Sequence, residues 1–457
     1  MPSDQNPPLF GKKILIIHFR VGKTDGVSIE IEAWKEILTR AGAVVKLCSG
    51  PINVGADYVI SNLEQQLNPT IYNIDEAAYA GYKKFKDEDE FIDAIKKEQE
   101  IIITQLNQIL DEFRPDRIII SNIFSVGEHL PAAGAFTEVF DKRQIPVLGI
   151  HHDFWWENIR YKKPNFPFVV EQLGQYFPPK RPWLKHAVIN SIAQKSLSKR
   201  RGVEAGVIYD TVNFDETIDQ KARRASEILD LCHSQTNDII VLQATRIVRR
   251  KNIEIAIDLI NTLSKPEFKN QLAGKTLSNG KRFDPQINKI ILILAGYAEK
   301  RDQAYKGLLL QYAKDKGVSV CYLGGLITDS SSFTLYDAYP RADVITYPSE
   351  YEGFGNQFLE SIWAKKPVAL FEYPVFKSDI APLGFDYISL GDTLTKDATG
   401  LCHIPEPILT TAAQKIISLL SDPNSYQAMV EKNFNLGKEN FSYDKTLSLL
   451  SNLLSEP

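Results

Sequence analysis

One pattern recurs along this chain and limits its fold more than any other feature: a short, almost wholly apolar run, a loop, then an amphipathic stretch. Lys12 to Phe19 (KKILIIHF) reads as a buried strand, the loop after it carries Gly22 and Gly26, and Ser28 to Ala41 has helical apolar spacing. Further strands are predicted over Ala43 to Cys48, Asp57 to Ile60, Arg117 to Ser121, Pro146 to Ile150, Ala187 to Asn190 and Gly206 to Ile208. Between them Asp87 to Phe113 has long helical periodicity. Its acidic start, Asp87-Glu88-Asp89-Glu90, suits a helix N-terminus, and Pro115 ends it. After a charged helical linker around Asp215 to Leu231 the alternation restarts, with strands at Ile239 to Thr245, Ile290 to Ala295, Val318 to Leu323, Asp343 to Tyr347 and Val368 to Phe371. Apolar strands alternating with helices predict parallel sheets covered on both faces.

At 457 residues the chain is too long for one ordinary core, and the restart places a boundary near residue 212. The expected organisation is therefore α/β, with doubly wound parallel-sheet domains over 1–212 and 213–439 facing across a cleft. A C-terminal helix over 440–457 is free to pack back onto the first domain. Residues 267–288, rich in Lys, Asn and Gly, read as a surface insertion. A net charge of -4 gives no basic field, so no nucleic-acid partner is expected. The four cysteines, Cys48, Cys232, Cys321 and Cys402, form no CxxC pair, which predicts reduced thiols and neither a zinc site nor a disulfide framework. The start MPSDQNPPLF lacks the basic and apolar regions of a secretory signal, and no apolar run reaches about 18 residues, so a cytoplasmic location is expected. Oligomeric state is not legible.

Ligands of such sheets bind beyond the carboxyl ends of the strands, and the chemically suggestive residues fall there. Ser349 to Glu360 (SEYEGFGNQFLE) directly follows a strand. Gly353 and Gly355 let backbone approach a ligand, and a helix from about Asn356 offers N–H groups and a positive dipole end to phosphate. Glu352 in the loop suits sugar hydroxyls, and Glu360 in the helix suits a vicinal diol. After the first strand of the second domain comes Thr245 to Asn252 (TRIVRRKN), in which Arg246 and Lys251 are predicted to converge on one anion. A diphosphate leaving group needs such charge from a metal or from preorganised cations. No Asp-x-Asp motif supplies a metal, so neither metal nor cofactor is expected.

Through TRIVRRKN and EGFGNQFLE the chain resembles family 4 of the retaining glycosyltransferases, which have the GT-B fold of two Rossmann-like domains. The resemblance spans nearly the whole chain. It implies that Arg246 and Lys251 hold the donor diphosphate, that Glu352 faces the transferred hexose, and that Glu360 binds the nucleotide ribose. It also implies that a histidine of His151-His152-Asp153, most directly His152, meets the donor sugar, with Asp153 toward the acceptor. Gly26, in Gly22-Lys23-Thr24-Asp25-Gly26-Val27, matches the glycine loop near donor phosphate and acceptor. Phe354, Gly355 and Asn356 complete the donor loop. Gly296, and Leu326 after Gly324-Gly325, lie at strand ends where a base can meet backbone.

The implied function is transfer of glucose or mannose from a nucleotide diphosphate sugar, of the UDP-glucose or GDP-mannose type, to a hydroxyl of a small sugar or polar acceptor. HHDFWWE and SEYEGFGNQFLE look similar to a subset acting on small solutes such as glucosylglycerate. Phe154 to Trp183, dense in aromatic and basic residues, leaves open an acceptor lid, a peripheral membrane contact or a structural loop packed over the first domain. Rival readings are a transferase with a lipid-linked or protein acceptor, a sugar phosphorylase, and a non-catalytic sugar-nucleotide-binding module.

Overall fold

In the computed structural model, which describes residues 9–22, 25–51, 55–81, 84–326 and 333–455, the apolar runs form two parallel sheets in two units. The first unit comprises residues up to Thr211 together with Tyr443 onward, and the second runs from Val212 to Ser442.

The sheet of the first unit contains β1 (Lys13–Ile17), β2 (Val44–Ser49), β3 (Tyr58–Val59), β4 (Arg117–Ser121), β5 (Val147–His151), β6 (Leu184–Val188) and β7 (Ala205–Val207). Their order is β3-β2-β1-β4-β5-β6-β7. The direction of winding reverses between β1 and β4, where Ile16 is flanked by Leu47 on one side and Ile119 on the other. Helices cover both faces because the strands are apolar on both: Ile14 to Ile17 are all buried. The helix Glu88–Phe113 starts at Asp87, whose carboxylate accepts from the Glu90 N–H, and ends at Arg114 in the left-handed region.

The second sheet contains β8 (Ile239–Gln243), β9 (Ile290–Leu294), β10 (Ser319–Tyr322), β11 (Val344–Tyr347), β12 (Val368–Leu370) and β13 (Ile388–Ser389), in the order β10-β9-β8-β11-β12-β13. Its reversal lies between β8 and β11. The helix Ile253–Leu263 is buried almost all round, sandwiched between the sheet and the helix Glu406–Ser421.

Two expectations change. Cys232 and Cys321 are joined as a disulfide with Cα atoms 5.2 Å apart, so these two are not reduced thiols. Cys48 and Cys402 are free and buried. Residues 267–288 are not simply a surface insertion: most are exposed, but Phe268, Leu272, Leu277 and Phe283 are buried in the core of the second unit and anchor the segment. Apolar residues scattered among polar ones hid that role. In the aromatic-basic segment, Phe154, Trp156, Tyr161, Phe177 and Trp183 are buried, and a helix forms over Pro167–Tyr176. Among the described residues no helix is long and apolar enough to cross a membrane.

The last helix, Tyr443–Ser455, packs on the first unit. Leu450 and Leu454 are buried against that core, and Leu453 lies against Gly206. Leu450→Ala is therefore expected to lower stability by about 2–5 kcal/mol, read from the urea unfolding midpoint. A shift worth under about 0.5 kcal/mol would remove this helix from the core.

Candidate active site

In the second unit, the β8 and β11 loops meet at the reversal of the sheet. A buried polar chain sets them. Gln357 Nε2 donates to the Thr346 carbonyl, Thr346 Oγ1 donates to Gln243 Oε1 at 2.9 Å, and Gln243 Nε2 donates to Thr245 Oγ1 at 2.7 Å. The Thr346–Gln243 bond joins the two strands and the other two tie each strand end to the loop or helix that follows it, which is why polar residues occupy strand ends otherwise wholly apolar. Asn252 adds a further tie by donating to the Pro348 carbonyl, and its φ of 45° suits the left-handed tolerance of asparagine.

On this frame Lys251 and Glu352 form a buried ion pair. Arg250 donates to the second Glu352 oxygen at 2.8 Å and to the Tyr351 carbonyl at 2.6 Å. Burial alone would push Glu352 upward, but the Lys251 and Arg250 cations outweigh it and hold the carboxyl at about 2. The Lys251 ammonium also lies 5.3 Å from the centre of the Tyr347 ring. Arg246 is part-exposed and pairs with Glu299 at 2.8 Å.

Glu360 lies one turn into the helix Asn356–Trp363, where one oxygen accepts from the Tyr339 hydroxyl at 2.6 Å. Burial raises its pKa to about 7, against the opposing pull of Tyr339, Lys251 and Lys221. Gly355, at the N-cap of that helix, has φ 141°, and a Cβ there would stand 2.2 Å from the Tyr373 hydroxyl. Phe354 turns its ring into the core against Phe441, so only its backbone belongs to the loop. Gly353 and Asn356 flank it, both part-exposed.

Gly296 has a packing reason of its own. A Cβ would stand 1.7 Å from the Thr245 carbonyl oxygen, so the β8 and β9 loops lie back to back there. Gly324 in turn touches the Gly296 carbonyl. Leu326 is exposed at the end of the following turn, with its N–H on the Leu323 carbonyl.

The first unit has a cavity of about 200 Å³ at the corresponding place, beyond β1, β4 and β5. Asp25, Asp153, Glu64 and Glu128 line it, with Arg20 the cation among them. Asp25 caps the helix Gly26–Arg40 by accepting from Ser28, which places Gly26 at the first, exposed position of that helix. Lys23 and Thr24 of the glycine loop lie outside the described residues.

The adjacent histidines part company because successive side chains of an extended strand point to opposite faces. His151 is buried and its Nε2 lies 3.0 Å from His186 Nδ1. The His152 N–H donates to Asn122 Oδ1 at 2.8 Å, Nδ1 lies 3.4 Å from Ser121 Oγ, and Nε2 has no hydrogen-bond partner among the described residues. Burial brings the pKa of His152 down to about 3, so the ring is neutral near pH 7.

Sequence reasoning passed over His18, His129, Arg20, Arg250 and Tyr339. His18 Nδ1 faces the Ser121 carbonyl at 3.0 Å, and His129 Nδ1 caps the helix Leu130–Arg143. His18 directly follows a strand, as His151-His152 does, and that position was the available signal. Among the described residues no group of three or more His, Cys, Asp or Glu side chains could hold a metal ion.

The description "Glycosyl transferases group 1" matches residues 232–435. The chain is 38% identical over 441 residues to the mannosylglucosylglycerate synthase of Thermotoga maritima, covering 96% of this chain and 99% of that one. It is 37% identical to the enzyme of the same name from Petrotoga mobilis, covering 94% and 98%. Among solved structures, sucrose-phosphate synthase from Thermosynechococcus elongatus superposes with a TM-score of 0.58 over 97% of this chain and 98% of that one, at 13% identity. With two parallel α/β sheets, a cationic loop and a two-glutamate loop meeting at the reversal of the second, and near-full-length kinship of this degree, the chain belongs to the group 1 glycosyltransferases of GT-B fold.

Proposed function

We propose that this glycosyltransferase makes mannosylglucosylglycerate, joining mannose from a nucleotide diphosphate sugar to glucosylglycerate with retention at the anomeric carbon and without a metal. The observation that carries the reading is the pairing of Lys251 and Arg250 with Glu352 at the reversal of the second sheet, with Arg246, itself paired with Glu299, on the same cationic loop. Transfer leaves negative charge on the diphosphate, and cations already fixed in place stabilise it without reorganising. In this reading Arg246 and Lys251 hold the diphosphate, Glu352 orients the hexose, and Glu360 takes the ribose hydroxyls. Backbone N–H groups at the start of the helix Asn356–Trp363 share the phosphate charge.

The acceptor in this reading is a polyol that carries a carboxylate. The first unit offers both kinds of recognition: Asp25, Asp153 and Glu128 as acceptors for hydroxyls, and Arg20 for the carboxylate. The unpartnered, neutral Nε2 of His152 gains a partner from a sugar hydroxyl. Because His152 is neutral, its part is orientation rather than acid catalysis.

The test is nucleotide release from GDP-mannose, UDP-glucose and ADP-glucose with glucosylglycerate, with and without EDTA, and with the product identified by mass and anomeric configuration. GDP-mannose with unchanged rate in EDTA is expected. Turnover confined to another sugar would overturn the mannose assignment, and phosphorolysis without nucleotide would make the chain a phosphorylase. Lys251→Ala is expected to lower kcat by about 10²–10³-fold, with circular dichroism confirming that the variant is folded. Arg20→Gln is expected to raise the KM for glucosylglycerate about 10-fold or more with kcat near the parent value. An unchanged KM removes Arg20 from acceptor recognition.

Glu360 gives a pH signature. Its folded pKa of about 7 lies above the ordinary 4.5, so the folded state keeps a proton that the unfolded chain has released. The contribution of this group is present below pH 4.5 and is lost as pH rises through about 7. Relative to Glu360→Gln, the parent protein should lose on the order of 1–3 kcal/mol between pH 5 and 8 in denaturant titrations. Nucleotide binding to the parent should tighten across pH 7 as the carboxylate forms, whereas the variant should bind weakly with no such step.

A further inference from the structure

A cavity of the second unit lies at the opposite end of its sheet, and nothing in the glycosyl transfer reading uses it. It measures about 520 Å³ and opens where β8, β11 and β12 begin. Asp343, which lines it, and Ser349, which opens the two-glutamate loop, are six residues apart along β11, on the order of 20 Å of extended chain. Occupancy of one end therefore does not fill the other.

The lining is cationic. Lys281, Arg341, Lys365 and Lys366 face it, with Asp343 the acidic residue among the lining side chains. That carboxylate is already committed: Oδ2 accepts from the Ile240 N–H at 2.7 Å and from Lys281 Nζ at 2.6 Å, and Oδ1 accepts from Asn279. Lys365 pairs with Glu431 at 2.7 Å, and Arg341 uses Nε on the Ala225 carbonyl at 2.9 Å, which leaves the outer guanidinium nitrogens for another acceptor. Lys366 differs. Its Nζ makes one long contact, 3.5 Å from the Pro340 carbonyl, and burial draws its pKa below the ordinary ammonium value, with Lys281 adding to that and Asp343 and Asp219 opposing it. A half-buried ammonium with so little compensation is costly unless an anion completes it.

We propose that this cavity is a second ligand site, separate from the donor site, for a small molecule bearing a phosphate group. Lys366 and Arg341 take the phosphate oxygens, the Lys281–Asp343 pair lies beside them, and Thr236 and Asn237 offer hydrogen bonds at the rim. A volume of about 520 Å³ accommodates more than the phosphate itself, so the ligand carries a polar body such as a sugar.

Isothermal titration calorimetry on the full chain tests this with inorganic phosphate and glucose 6-phosphate, ionic strength being held constant with sodium chloride. Saturable binding of glucose 6-phosphate, tighter than inorganic phosphate, is expected. Equal affinities would make free phosphate the ligand. Because the donor-site cations also attract phosphate, the variants separate the two places. Lys366→Met should weaken binding at least tenfold, Lys366→Arg should restore it, and Arg246→Gln should leave it within threefold. Arg341→Gln, which should also weaken binding, serves where Lys366→Met fails to fold. The proposal is overturned by parent-like binding in folded Lys366→Met, by loss of binding in Arg246→Gln, or by no saturable heat with either probe.

Discussion

The buried ion pair of Lys251 and Glu352 is the interaction on which the second unit's chemistry depends. Two charges removed from water are costly alone, and breaking a pair of this kind by deleting one partner typically costs 3–5 kcal/mol. Here the pair is tolerated because Arg250 supplies the second oxygen of Glu352 and because the loops bearing it are joined by the chain from Gln357 through Thr346 and Gln243 to Thr245. The sheet order decides where this happens. Only at the reversal between β8 and β11 do two adjacent parallel strands send their following helices to opposite faces, leaving room for a ligand between the loops.

The first unit solves a different problem with the same architecture. Its strand ends carry His18, Asn122 and Asp153 around a polar cavity rather than a cationic cluster, with the His152 backbone N–H on the Asn122 side chain. Burial keeps His18 and His129 at about 4 and His152 at about 3, so these rings act as neutral hydrogen-bonding groups over the ordinary pH range. Acidic side chains and a single lining arginine suit a hydroxyl-rich molecule with one negative group better than a polyphosphate. The cationic loop of the second unit has the reverse preference. This division of charge is the ground on which a donor half and an acceptor half are proposed.

Much of this was legible before any coordinates. Arg117 to Ser121 could be read as a strand to the residue because an apolar run bounded by Pro115 and a polar loop has few other uses. The helix after Asp87 declared itself by its acidic cap and its periodicity. Residues 267–288 misled because Leu277 and Phe283 sit singly among Lys, Asn and Gly, so no period betrayed their burial. The disulfide was invisible for a similar reason: Cys232 and Cys321 are 89 residues apart, and spacing that long specifies no partner.

The sequence by itself determined the kind of fold, its two parallel sheets, and which loops carry charge, because hydrophobic period and loop chemistry are local properties of the chain. Only the tertiary structure decided partners. It gave Glu352 to both Lys251 and Arg250, sent Arg246 to Glu299, set Tyr339 on Glu360, and turned His151 inward while leaving His152 beside the Asn122 loop. Pairing depends on distance and desolvation between residues remote in the chain, and those quantities exist only once strands far apart in sequence lie side by side.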